Sequence, residues 1–303
     1  MKGPLIAPTT SNGSDPIADE LQLPAFVEGI PVARPIVLDF TEPLPSPLSE
    51  FLLLQQTPRS AWADIGWLVL FVIAFEFFTA GLVHLVTGFA FGAGASSSET
   101  EALEIRQAML LPTISLRALG AIVIIAALAR GRGQSARSVG FSWLEMPLNV
   151  VIGLAALLVV YGLIFVVMPL LWLFWPDVVR EEMNENARRI MELVPNLRPA
   201  EFVPLTAIIG IYEELVFRGF LMTRLRRGTG SWAVAVALST VIFTSLHAFD
   251  QTHSAMVVVA ILSLVFSLAT IWRRSIIPAI IAHALFDLSQ LLLLYVQAGD
   301  SWT

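Results

Sequence analysis

The sequence predicts an all-α fold, a polytopic helical bundle of about seven to eight membrane-spanning helices. Three observations predict it. Of the 303 residues, 56% are hydrophobic and only 14% are charged, whereas a soluble protein carries about a quarter charged residues. The apolar residues gather in runs of the length a helix needs to cross a bilayer, about 20 residues. Basic residues follow alternate runs, as the cytoplasmic ends of membrane helices do.

In chain order, residues 1–60 are rich in proline and acids, including Pro16, Pro24, Pro35, Pro43, Pro45 and Pro47. Such a stretch buries little and reads as a flexible cytoplasmic tail. Within it, Leu48 to Gln56 is apolar enough to lie on a membrane surface but too short to span. The N-terminus lacks the basic start and apolar core of a signal peptide. The membrane helical domain is expected at 61–299, with a catalytic core at 200–297. Seven spans are expected near 62–91, 108–129, 148–174, 202–222, 232–248, 254–272 and 276–297, the fifth and sixth being short. The stretch Gly92 to Ser98 is a small-residue loop, not a phosphate cradle, because no strand precedes it and no lysine follows. The segment 176–200 mixes Glu181, Glu182, Glu185, Arg188, Arg189 and Glu192 and should form a surface helix before Pro195.

Arg130, Arg132 and Arg137 follow the second span, Arg224, Arg226 and Arg227 the fourth, and Arg273 and Arg274 the sixth. An odd number of spans with a cytoplasmic N-terminus puts all three clusters inside. The acidic loop Glu99, Glu101 and Glu104, and the C-terminus, then lie outside. The partners this implies are a lipid bilayer and membrane-associated molecules. The net charge of −6 argues against a nucleic-acid surface. With no cysteine, disulfides and cysteine-ligated zinc are excluded, and the redox compartment cannot be read.

Against this apolar background, ionisable groups in the fourth, fifth and seventh runs point to one polar pocket, because charge at bilayer depth faces a protein interior and finds a partner. Glu214 and Arg218 are four apart and share a helix face, so each lowers the cost of burying the other. Glu213 points about 100° away and is free to face the pocket. Phe243 and His247 are four apart, so the aromatic shields and fixes the imidazole. His283 and Asp287 are also four apart, and the carboxylate can hold one ring nitrogen and set which one faces a substrate. Peptide hydrolysis needs an activated water, a proton acceptor and oxyanion donors. Glu213 is the candidate base, helped by His247, with His283 and Asp287 orienting or stabilising the carbonyl. The same four residues, Glu213, His247, His283 and Asp287, could instead ligate zinc. Counted along the helices, Glu213 lies roughly 16 Å deep, His247 roughly 24 Å and His283 roughly 10 Å, so tilted or shortened helices must bring them together.

Glu213-Glu214-x-x-x-Arg218, Phe243-x-x-x-His247 and His283-x-x-x-Asp287 resemble, in this order, the motifs of the CAAX prenyl endopeptidase and bacteriocin-processing family, the type II CAAX proteases (CPBP or ABI). The resemblance covers about residues 200–290 and implies intramembrane proteolysis of a membrane-associated peptide or protein, with or without a prenyl group. It implies that Glu213 and His247 activate water and that His283 and Asp287 form the oxyanion site, by a metallo- or a metal-free glutamate mechanism. Glu214, Arg218 and Phe243 are then supporting residues. Eukaryotic prenyl proteases carry Asn at the last position, where this chain has Asp287. An anion stabilises an oxyanion poorly unless protonated or metal-bound, so the departure favours a metal or a histidine-orienting role and weakens the case for prenyl-protein substrates.

The rival readings are a non-catalytic scaffold or bacteriocin self-immunity protein of the same fold, and a proton-coupled transporter. The transporter reading is weakened because no two matching halves are seen. Glu76 and Arg117 read as a helix-packing pair, with a proton pathway as the alternative, and His253 as a loop residue beside Asp250. Trp62, Trp67, Trp172, Trp175 and Trp232 read as interface anchors.

Overall fold

The computed structural model describes residues 26–27, 30–31, 51–53, 56–91, 105, 107–143, 145–194, 197–249 and 251–299. Most of the proline-rich tail, the loop Gly92 to Ser98, the acids Glu99, Glu101 and Glu104, and Asp250 lie outside the described residues. The chain divides into two units, Met1–Leu44 and Pro45–Thr303. In the first, the described residues form one antiparallel pair of two-residue strands, β1 (Phe26–Val27) and β2 (Ile30–Pro31).

The second unit is helical. Its elements are α1 (Pro58–Phe91), α2 (Leu110–Gly131), a 3₁₀ turn (Ala136–Val139), α3 (Met146–Phe174) and α4 (Pro176–Leu193). There follow α5 (Pro199–Glu214), a π turn (Leu215–Leu221), α6 (Met222–Thr229), α7 (Trp232–His247), α8 (His253–Arg273) and α9 (Ile277–Ala298). Local chemistry sets the ends. Proline occupies the first turn of α3, α4, α5 and α9, where no N–H is needed. Glu201 reaches back to the Arg198 N–H at 2.6 Å to close the start of α5. Gly230, at φ +76°, ends α6 in the left-handed region.

Five helices are long and apolar enough to cross a membrane: 58–86 within α1, then α2, α3, α8 and α9. The protein is therefore a multi-pass integral membrane protein with an all-α bundle. The other two expected spans take a different form. The run at 202–222 is split by the π turn between α5 and α6, which continue one into the other. The run at 232–248 is α7, an apolar helix of only 16 residues. The charged segment 176–200 contains the expected amphipathic helix, α4.

Helix α9 packs most extensively on α5 and α3, and α8 lies against α7, α3, α9 and α4. Small residues permit this. A Cβ on Gly153 of α3 would stand 2.8 Å from the Pro278 carbonyl oxygen of α9. One on Gly219 in the π turn would stand 2.6 Å from the Val139 carbonyl oxygen. One apolar core joins α1, α2, the π turn and α6–α8 through Leu68, Ile125, Phe217, Phe220, Leu225 and Phe243. A second joins α3, α8 and α9 through Val160, Phe266, Ala282 and Phe286.

The described residues just before α1 pack against the bundle. Phe51 and Leu53 are buried, and the Phe51 ring stacks on Trp232 at 5.8 Å. Buried polar groups anchor this end: Asp64 accepts from Gln56 at 2.6 Å and from Arg132 at 2.8 and 3.0 Å. Arg224, fully buried, donates to Gln134 at 2.7 Å and covers the Phe220 ring. Some of the arginines read as loop charges thus also hold the bundle together.

Candidate active site

The candidate site lies where the end of α5 and the π turn meet the middle of α9. Glu214 and Arg218 are both fully buried and form the expected pair, Arg218 Nη1 donating to Glu214 Oε1 at 2.8 Å. The guanidinium lies 4.4 Å from the centroid of Phe243 and 5.7 Å from that of Phe266, so aromatic faces supplement its one carboxylate. Phe243 therefore supports Arg218 as well as His247.

His283 departs from expectation in its partner. Its Nδ1 bonds Glu214 Oε1 at 2.8 Å; the residue expected to hold the ring, Asp287, has its Oδ2 3.5 Å from Nε2 instead. The reason is tertiary. Glu214 is fixed by Arg218 and sits opposite His283 across a close helix contact, at Gly210 against Ala284. Helical spacing within α9 cannot reveal a carboxylate 69 residues away. A carboxylate accepts, so Nδ1 carries the proton and Nε2 is the atom turned to the pocket.

Glu213 faces the same pocket. Its Oε1 accepts from the Tyr212 hydroxyl at 3.1 Å, while its Oε2 is buried with no hydrogen-bond partner among the described residues and lies 3.8 Å from His283 Nε2. That separation is too long for a direct hydrogen bond and suits a shared solvent molecule. Four of the expected residues, Glu213, Glu214, His283 and Asp287, are thus gathered within a few ångströms, with Arg218 behind them. The depth mismatch between Glu213 and His283 is closed.

His247 is held apart from this group. It is the last residue of α7, its ring lies on Phe243 at 4.6 Å, and its Nδ1 bonds the Phe243 carbonyl at 2.8 Å. Since a carbonyl only accepts, Nδ1 is the protonated nitrogen and Nε2 is free. Among the described residues it makes no hydrogen bond or ion pair with Glu213, His283 or Asp287.

The donor types are those zinc accepts. As placed, however, no group of three or more His, Asp or Glu among the described residues is arranged to hold a metal ion. Both Nδ1 atoms are engaged, by Glu214 and by the Phe243 carbonyl, which leaves Nε2 of each ring as the nitrogen that could bind a metal.

Outside this group, Glu76 and Arg117 pair at 2.6 Å between α1 and α2, as expected. His253 is more than a loop residue: it opens α8 and bonds Glu182 of α4 at 2.9 Å, and Glu182 also accepts from the Ser254 N–H at 2.8 Å. Tyr212 drew no notice in the sequence, because it belongs to none of the spaced motifs.

Residues 195–289 match the family described as type II CAAX prenyl endopeptidase Rce1-like. The matched segment runs from just before α5 into α9 and contains every residue of the three motifs. This segment is similar to the type II CAAX prenyl endopeptidase Rce1-like domain family. At the level of that family it supports a CAAX-type intramembrane endopeptidase, a hydrolase working on peptide at a lipid bilayer. No curated protein and no solved structure matches the chain.

Proposed function

We propose that the chain is an intramembrane endopeptidase that hydrolyses a peptide bond of a membrane-associated peptide or protein through a water activated by Glu213. One observation carries the reading. A buried carboxylate oxygen with no partner, Glu213 Oε2, faces His283 Nε2 between two apolar helices, within the Rce1-like segment. A buried polar oxygen without a partner is costly, and an ionisable residue at bilayer depth marks a functional site.

In this reading Glu213 takes a proton from water as the water oxygen bonds to the substrate carbonyl carbon, and the carbonyl π electrons move onto its oxygen. Glu214, held by Arg218, orients His283 through Nδ1 so that Nε2 meets the reacting atoms. Asp287, beside Nε2, balances charge on that ring. His247 brings its free Nε2 from α7 once a substrate draws the helices together. When the intermediate collapses, the C–N bond breaks and the proton held on Glu213 passes to the leaving nitrogen. In this reading the protein's own side chains carry every proton, and chelation separates it from zinc chemistry on the same donors. We further propose that the arginine-rich ends of α2, α6 and α8 and the N-terminus face the cytoplasm, and the C-terminus the opposite side.

The test uses the full chain in detergent and an internally quenched peptide ending in a farnesylated Cys-aliphatic-aliphatic-X sequence, with its unprenylated counterpart beside it. Wild type should cleave at least one of them, Glu213→Gln neither, and chelation with full metal analysis should leave the wild-type rate unchanged. Full activity in Glu213→Gln removes the mechanism. Stoichiometric zinc whose loss abolishes cleavage replaces it with a metal mechanism, and an inert wild type favours the scaffold reading.

A further inference from the structure

Tyr212 stands immediately before the carboxylate pair, in the position the proposed chemistry leaves unassigned. Consecutive side chains on a helix diverge by about 100° and do not ordinarily meet. Yet the Tyr212 hydroxyl donates to Glu213 Oε1 at 3.1 Å. Its ring packs against the core cluster that holds Val216, Phe217 and Phe220, which directs the hydroxyl. The two oxygens of Glu213 are thereby made different. Oε1 is engaged by a neutral donor, and Oε2, buried and unpartnered, is turned toward His283 Nε2 at 3.8 Å.

From this geometry we infer that Tyr212 is a positioning residue: its hydroxyl clamps one oxygen of Glu213 and aims the other oxygen at the reacting water. A hydrogen bond to the ionised form of an acid favours that form. A hydroxyl supplies it without the positive charge that would suppress the basicity of Glu213. The inference rests on the proposed function for its kinetic readout but not for its spectroscopic one.

Two variants test it in the full chain. Tyr212→Phe keeps the ring and removes the donor. Replacement of Tyr212 by 3,5-difluorotyrosine keeps the size and makes the O–H a stronger donor. With the farnesylated quenched peptide, Tyr212→Phe should lose about 10- to 100-fold in kcat, the worth of a hydrogen bond to a charged group, with KM within about twofold. The acid limb of its pH–rate profile should move to higher pH by about one unit, and that of the fluorinated protein to lower pH. Independently of any substrate, the infrared carboxyl band that disappears in Glu213→Gln should titrate with midpoints displaced in the same two directions. Equal limbs and equal midpoints in all three proteins overturn the inference, even where the wild type cleaves. Midpoints displaced as stated in a protein that cleaves nothing sustain the Tyr212 contact and overturn the proposed function instead.

Discussion

Glu214 is the residue on which most of the site depends. One oxygen accepts from both Arg218 and His283, so the same carboxylate neutralises a buried guanidinium and sets the imidazole. Its second oxygen, and Nε and Nη2 of Arg218, have no hydrogen-bond partners among the described residues, so there the pair has no reserve of hydrogen bonds. Removing one member of a buried pair strands the other at a cost of about 3–5 kcal/mol. Arg218→Ala should therefore lower the folded yield in detergent and the thermal midpoint. A variant with wild-type yield and midpoint would show that the pair is dispensable. Glu214→Gln separates the two duties. It retains a hydrogen-bond acceptor for Nδ1 but not the charge, and should stay more stable than Arg218→Ala while cleaving more slowly. The ion pair was legible in the sequence, because Glu214 and Arg218 lie one helical turn apart. The bond to His283 was not, because it depends on how α5 and α9 cross.

At the scale of elements, the π turn at Leu215–Leu221 is the feature least legible in sequence. It widens the helix directly after the carboxylate pair, as π segments often do near functional groups. It is also where Gly219 admits the Val139 carbonyl. Gly219→Ala should overpack this contact and cost about 1–3 kcal/mol, measurable as a lower melting temperature; an unchanged melting temperature would mean that the 3₁₀ turn gives way. The latch between α4 and α8 makes a second prediction. Glu182 is raised by partial desolvation, but the Ser254 N–H and the His253 ring outweigh that and hold it below the usual 4.5. A carboxyl lowered in the folded state adds stability that is present in full above its unfolded value and lost as pH falls through the folded one. Glu182→Gln should therefore be less stable than wild type near neutral pH, by about 0.3–1 kcal/mol for an anion at a helix start. The gap should close below about pH 4. A gap independent of pH would remove the charge from the explanation. His253 looked like a loop residue because its partner lies 71 residues earlier, on another helix.

At the scale of the molecule, fold class and the gathering of Glu213, Glu214, His283 and Asp287 were legible for one reason: a membrane makes charge expensive, so each buried ionisable group reports a function or a partner. Span counting was less faithful where the site intrudes. The 202–222 run is interrupted by the π turn, and α7 is short, ending at His247. Both are helices that carry motif residues, where apolar length gives way to polar chemistry. The proposed orientation can be read without background labelling, since the chain has no cysteine. Single cysteines beside Arg226 should react only from the cytoplasmic side and those beside Glu192 only from the other; reactivity from the same side would reverse or break the topology. The same absence permits a test of how α5 and α9 meet. A Cβ on Gly210 would stand 3.4 Å from that of Ala284, close to the spacing a disulfide bridges. Gly210 precedes the carboxylate pair by one turn, and Ala284 follows His283 directly. Oxidation of the Gly210→Cys, Ala284→Cys double variant in membranes should join the fragments of a protease-nicked chain until reductant is added. Failure to join, with ready joining of Gly210→Cys to Leu288→Cys one turn further along α9, would contradict the register that brings Glu213 and Glu214 to His283.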